Sequence, residues 1–210
     1  MTMVTTRLIG INSIARDSLI GNYFIAGISV PVYQLHSFSK INIQDPNKLS
    51  NKRVEYYANL LIESFDFWVE EVKTSELFND ELNNLESRAM IMCYKHLNKT
   101  WGDKIYICNG EESREKFLGK IKSVNNNLNI NYDNWTINGQ DQYMVCTAAA
   151  LLAKIYYIYH LRELKSRYGD IGTCYQNDSK TIDFIRRHAN SLPMIVRQNN
   201  PFIRGLLKNI

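Results

Sequence analysis

The sequence predicts a single-domain α/β fold in which helices pack on a mixed sheet, and three observations point there. Short apolar runs rich in β-branched and aromatic residues alternate with segments whose apolar residues recur at helical spacing. The chain has 210 residues, 45% of them hydrophobic, which is enough for one substantial core. No internal repeat and no Pro/Gly/Ser-rich linker divides it. One domain over residues 1–210 follows, with a helical C-terminal part from about residue 146 to 210.

Residues 7–13 and 23–30 are apolar runs separated by Gly21 and Asn22, and read as two adjoining strands at the start of a sheet. Asp45, Pro46 and Asn47 make a turn. Ser50 is placed to N-cap a helix with Val54, Tyr57, Ala58 and Leu61 on one face, after which residues 65–72 have strand character. A helix is expected over residues 80–97, where Leu82, Leu85, Ala89, Met92 and Cys93 share a stripe. Residues 104–108 (KIYIC) form a strand that Asn109 and Gly110 end, and residues 112–124 carry Phe117, Leu118 and Ile121 at helical spacing. The Asn-rich stretch 125–131 is a loop or the approach to a strand at 132–138. The strongest helix of the chain covers residues 146–168.

Net charge is +4, but residues 151–210 hold ten Lys and Arg against four Asp and Glu. A surplus of six in the last part exceeds that of the whole chain. Such a segment suits a polyanionic partner, and equally a solvated basic face. There is no run of eighteen apolar residues, and the start, MTMVTTRLIG, lacks the apolar stretch of a signal peptide, so the expectation is a soluble cytoplasmic protein without a membrane partner. Cys93, Cys108, Cys146 and Cys174 form no C-x-x-C pair and read as reduced, mostly buried thiols. His36, His96, His160 and His188 show no metal-ligand spacing. Nothing marks a cofactor or small-molecule substrate.

Several ordered blocks go further. Residues 9–27 (IGINSIARDSLIGNYFIAG) are similar to G-[IV]-D-E-x-G-R-G-x-x-x-G-P, with Gly10, Arg16 and Gly21 in place. Residues 45–50 (DPNKLS) resemble D-S-K-x-L-[ST], the lysine falling on Asn47 with Lys48 one place on. Residues 147–154 (TAAALLAK) resemble S-A-A-S-I-[IL]-A-K, and residues 168–178 (YGDIGTCYQND) resemble Y-G-D-x-G-S-G-Y-P-x-D. Residues 193–200 (PMIVRQNN) resemble P-x-I-x-R-R-S-W, with Arg197 kept. These patterns are those of type 2 ribonuclease H, ribonuclease HII, as found in archaea. The resemblance implies a ribonuclease H-like mixed sheet.

It also implies an altered chemistry. The family cleaves the RNA strand of RNA–DNA hybrids with divalent ions held by four carboxylates, which hard ions require. By the resemblance these positions fall on Asn12, Ser13, Cys108 and Gln140, all neutral residue types. Four such groups do not offset the dehydration of Mg²⁺, so no metal and no catalysis are expected. Asp17, Glu111, Glu112 and Asp141 lie nearby, but a shift of one place along a strand turns a side chain to the other face. Cys108 has no evident base near it in sequence and reads as an inert packed thiol.

What the resemblance leaves is a grip on nucleic acid. Arg16 and Tyr175 hold positions that contact the substrate's sugars in the family, while Lys48, Lys154 and Arg197 fall where phosphate contacts are expected. Ala15 and Asp17 replace the two turn glycines and put recognition of the ribose 2′-OH in doubt. Tyr156, Tyr157 and Tyr159 surround the long helix and cannot all face one core, so a protein-binding surface or a stacking platform is expected there. Three functions follow: a silent relative that binds duplex or RNA–DNA hybrid through a basic groove, a protein-interaction scaffold within a replication, repair or translation complex, and an altered metal-dependent nuclease.

Overall fold

The structure is a computed structural model and describes residues 6–99, 103–108, 113–124, 132–137, 143–188 and 194–208. Its centre is strand β1, Arg7–Ile14. Beside it β2, Tyr23–Pro31, runs antiparallel with Arg7 opposite Pro31 and Ile14 opposite Phe24. Strand β3, Asp66–Val72, pairs antiparallel with β2. On the other side β4, Lys104–Ile107, and β5, Trp135–Ile137, continue the sheet in parallel, giving the order β3-β2-β1-β4-β5. This is the expected mixed sheet.

Eight helices are described: α1 (Leu35–Lys40), α2 (Asn51–Ser64), α3 (Thr74–Asn79), α4 (Leu82–Leu97), α5 (Arg114–Val124), α6 (Met144–Tyr168), α7 (Ser179–His188) and α8 (Pro201–Leu207). Alternation along the strands sorts their side chains between two layers. Ile9, Ile11, Ile25, Ile105 and Ile107 meet the buried stripes of α4 and α5. Phe24, Ala26 and Ile28 meet α2 and α6 on the other face. Because both faces of β2 are covered, all nine of its residues are buried, which is why it reads as one continuous apolar run. Helices α7 and α8 close a third cluster with Leu19, Ile20 and Leu164.

Helix α6 is long and apolar enough to cross a membrane by length and composition, but its apolar residues rest on the sheet and on α2. Ala148, Ala149 and Ala153 keep its buried side thin. Gly10 lets it come closer still: a Cβ there would lie 2.2 Å from the Val145 carbonyl oxygen.

The element boundaries differ from expectation where local caps intervene. Ser50 stands at the N-cap of α2, yet its side chain makes no capping bond. The helix expected over 80–97 begins at Leu82, and the separate short α3 precedes it, its first turn tied by the Glu76 carboxylate accepting from the Lys73 N–H at 2.8 Å. Strand β4 stops at Ile107 and β5 is confined to Trp135–Ile137. The expected turn at Asn109 and Gly110 and the stretch 125–131 lie outside the described residues.

His160 ties α6 to the β1–β2 connection. Its Nε2 accepts the Asn22 N–H at 3.1 Å, its ring packs on Phe24, and burial holds its pKa below the ordinary histidine value. The unfolded chain therefore takes up this proton more readily, so the stability His160 contributes is present above about pH 6.5 and is lost as pH falls through the lower folded value. Thermal melts between neutral and mildly acid pH should show this loss. His160→Gln, which retains an acceptor for Asn22, should flatten the dependence, and an unchanged profile would assign it to other groups.

Candidate nucleic-acid interface

The parallel pairing of β1 with β4 sets Ile11 opposite Ile107, and the Cys108 N–H donates to the Ile11 carbonyl at 3.0 Å. Asn12 and Cys108 thus lie at the ends of adjacent strands, as the resemblance requires. Asn12 Nδ2 donates to the Cys146 carbonyl at 3.3 Å, and its Oδ1 accepts the Ser13 N–H at 2.8 Å. Ser13, one place on, points to the opposite layer, where its hydroxyl donates to Glu86 Oε1 at 3.3 Å.

Glu86 is a buried carboxylate of α4 that the sequence reading did not single out. A signal existed, since it stands four residues after Leu82 and three before Ala89, on the apolar stripe. It accepts from Arg16 Nη1 and from the Tyr23 hydroxyl as well as from Ser13, and Arg16 also reaches Asn83. Burial opposes the charge of Arg16, yet the Glu86 carboxylate holds the guanidinium pKa above its ordinary value. Burial together with the Glu86 charge pushes the Tyr23 phenol well above the usual tyrosine range.

Among the described residues, Asn12, Ser13 and Cys108 offer no carboxylate to a divalent ion. Asn12 spends its oxygen on the Ser13 N–H, the Ser13 hydroxyl is turned to Glu86, and Glu86 is already held by a cation and two hydroxyls. Among the described residues no three His, Cys, Asp or Glu side chains gather to hold a metal. Gln140, Asp141, Glu111 and Glu112 lie outside the described residues.

The segment after β1 keeps a left-handed residue at one of its two replaced glycine positions. Ala15 has φ 62°, a left-handed conformation that costs an L-residue about 1–2 kcal/mol. Cys174, where the resembling pattern has glycine, has φ 71°. The segment is held by Arg197. Instead of facing a phosphate, this arginine is 5% exposed and donates to the carbonyls of Gly21 (2.8 Å), Ala15 (2.9 Å), Arg16 (3.1 Å) and Asn22 (2.8 Å). Its expected phosphate role is thereby replaced by a structural one, because a buried guanidinium can satisfy several carbonyls at once.

Of the remaining expected contacts, Lys154, Tyr175 and Arg16 divide between two grooves, and Lys48 lines neither. Lys154 and Tyr175 line one of about 440 Å³, together with Asn47, Thr173, Arg162 and Lys165. Lys154 donates to the Pro46 carbonyl at 2.6 Å; burial lowers its pKa and Asp45 opposes that shift. Lys48, next to Asn47, is exposed and lies 3.8 Å from Asp45. Arg16 instead borders a second groove of about 540 Å³ that also contains Asp17, Asp80 and Glu81. Arg162 and Lys165 escaped the sequence reading although Lys165 lies about three turns from Lys154, on nearly the same side of α6.

The tyrosine cluster divides too. Tyr157 is buried, with its hydroxyl 2.9 Å from Ser18 Oγ, so it offers no surface to a partner. Tyr156 is half-buried against the α2–α6 layer. Tyr159 is exposed, donates to Glu55 at 3.2 Å and carries the Arg162 guanidinium 5.5 Å from its ring centre.

Comparison with known proteins extends these observations. The sequence model of the family described as Ribonuclease HII matches residues 9–200. The ribonuclease HII of Sulfolobus acidocaldarius is 30% identical over 197 residues, 90% of each chain. That of Methanosarcina barkeri is 28% identical over 204 residues, also 90% of each. In three dimensions the fold is similar to that of ribonuclease H2 from Pyrococcus horikoshii, with a TM-score of 0.83, 20% identity, and coverage of 97% of this chain and 98% of that one. It is also similar to a chain in the structure of the PCNA:RNase HII complex from Archaeoglobus fulgidus, with a TM-score of 0.77, 19% identity, and coverage of 92% and 95%.

Proposed function

The chain belongs to the ribonuclease HII family, and from that premise we propose that it is a catalytically silent member that binds duplex or RNA–DNA hybrid through basic side chains. The observation that supports this most is the state of the family's metal positions: Asn12 and Ser13 are neutral and tied to Cys146 and Glu86, and Cys108 brings a thiol where a carboxylate is needed. Loss of those carboxylates also removes negative charge that would repel a phosphate backbone.

The expected result is no cleavage of an RNA–DNA hybrid, or of a single ribonucleotide in DNA, with Mg²⁺ or Mn²⁺. Binding followed by fluorescence anisotropy should be weakly sequence-dependent and steeply salt-dependent, with Lys48→Gln lowering the salt slope by about one unit. Metal-dependent cleavage that disappears in Asp17→Ala or Asp141→Ala would overturn the reading. A scaffold role is the second reading, favoured by exposed Tyr159 and by the Archaeoglobus relative having been seen in a complex with PCNA. No binding to any nucleic acid at low salt would put it first.

A further inference from the structure

Two cysteines meet between the end of β4 and the start of α6. Along β4, Ile105 and Ile107 face α4 and α5, while Tyr106 packs with the α6 layer. Cys108 continues the pairing past β4 through its N–H bond to the Ile11 carbonyl, so strand alternation turns its side chain to the same side as Tyr106. Cys146, in the first turn of α6, is wholly buried, with its Sγ 3.4 Å from the Tyr106 carbonyl oxygen. Its own carbonyl accepts from Asn12, which follows Ile11 on β1 as Cys108 follows Ile107 on β4. Cys146 therefore touches the residue two places before Cys108 on its own strand and the residue beside it on the next.

A disulfide needs Cα atoms about 4.4–6.8 Å apart, closer than a helix resting on ordinary side chains comes to a sheet. Gly10 removes that obstacle. It stands opposite Tyr106, and the Cys146 nitrogen lies 2.8 Å from where a Cβ of residue 10 would be, so the first turn of α6 is in backbone contact with the sheet. Cys108 is half-buried and within reach of a small oxidant, whereas Cys146 is shielded behind it. The other two cysteines lie elsewhere, Cys93 in the layer of α4 and Cys174 in the C-terminal cluster.

We propose that Cys108 and Cys146 are a peroxide-oxidised pair whose disulfide ties the end of β4 to the start of α6. The Cys108 sulfur attacks a peroxide oxygen, the O–O bond breaks, one water departs, and the sulfur is left as a sulfenic acid. The Cys146 sulfur then attacks the Cys108 sulfur, the S–O bond breaks, and the released hydroxyl takes the Cys146 proton to leave as a second water. Two thiols are oxidised to one disulfide as one hydrogen peroxide is reduced to two waters. The bond closes the chain from β4 through β5 to α6, and constraining so long a loop in the unfolded chain stabilises the folded one.

Treating the folded native chain with hydrogen peroxide, then blocking the remaining thiols with an alkylating reagent before proteolysis and mass spectrometry, tests this. The expected result is a peptide pair joined through Cys108 and Cys146, with two of the four thiols lost. The melting temperature should rise by several degrees and return to its starting value with dithiothreitol. In Cys146→Ala, its melt checked against the native chain, Cys108 should stop at the sulfenic acid and be trapped by dimedone. Cys108→Ser, a change at the half-buried position, should keep its three remaining thiols through the same treatment. A native chain whose Cys108 is trapped as sulfenic acid without the joined peptides would overturn the proposal. So would a Cys108 link between two chains, or four thiols that survive the oxidant.

Discussion

Replacing Arg197 with alanine should unfold this protein more readily than any change on its surface, with a fall in melting temperature of about 10 °C or more. The guanidinium serves the carbonyls of Ala15, Arg16, Gly21 and Asn22, and it is almost wholly buried. Leaving a buried acceptor unpaired costs about 1–3 kcal/mol, so four together cost on the order of 4 kcal/mol or more. In a chain of this size each kcal/mol moves the midpoint by about 2–4 °C. Arg197→Lys should recover only part of the loss, because an ammonium cannot span four carbonyls set around a planar fork. Calorimetry and a salt titration read together decide the role of the residue. A near-native melt with a salt slope reduced by one unit would return Arg197 to phosphate binding.

Gly10→Ala should cost about 3 kcal/mol or more, at the upper end of what overpacking does. The new methyl carbon would lie 2.2 Å from the Val145 oxygen, 2.3 Å from its carbonyl carbon and 2.8 Å from the Cys146 nitrogen. Every one of these atoms is backbone, so no rotamer change relieves the clash and α6 must lift from β1. That displacement would also stretch the bond from Asn12 to the Cys146 carbonyl. Trimming Val145 to alanine should give no rescue, because its carbonyl and not its side chain is the obstacle. A thermal midpoint within a few degrees of the native value in Gly10→Ala would show that the helix yields more easily than this close approach implies.

Much of this protein could be read without coordinates, because some of its physics is local. The short apolar runs of β1 and β2, the 3.6-residue stripes of α4 and α5, and the long apolar run of α6 each identify an element within a few residues of its observed ends. Residue type at a matched position is equally legible, so the neutral character of Asn12, Ser13 and Cys108 needed no structure. What periodicity does not encode is which neighbour covers each face. Arg197 and Lys48 are both cations in resembling motifs, yet one is packed beneath the 15–22 segment and the other stands in solvent. Tyr157 and Tyr159 are two positions apart, and the turn of the helix puts one hydroxyl on Ser18 and the other on Glu55. Glu86 lies 73 residues from Ser13 and 70 from Arg16 in the chain, and only the packing of α4 beneath the sheet brings its carboxylate to them. The sequence by itself determined the elements, the family and the chemistry absent from Asn12, Ser13 and Cys108. The tertiary structure alone decided which charges are spent inside the fold and which line the groove on α6, because burial depends on contacts between residues far apart in the chain.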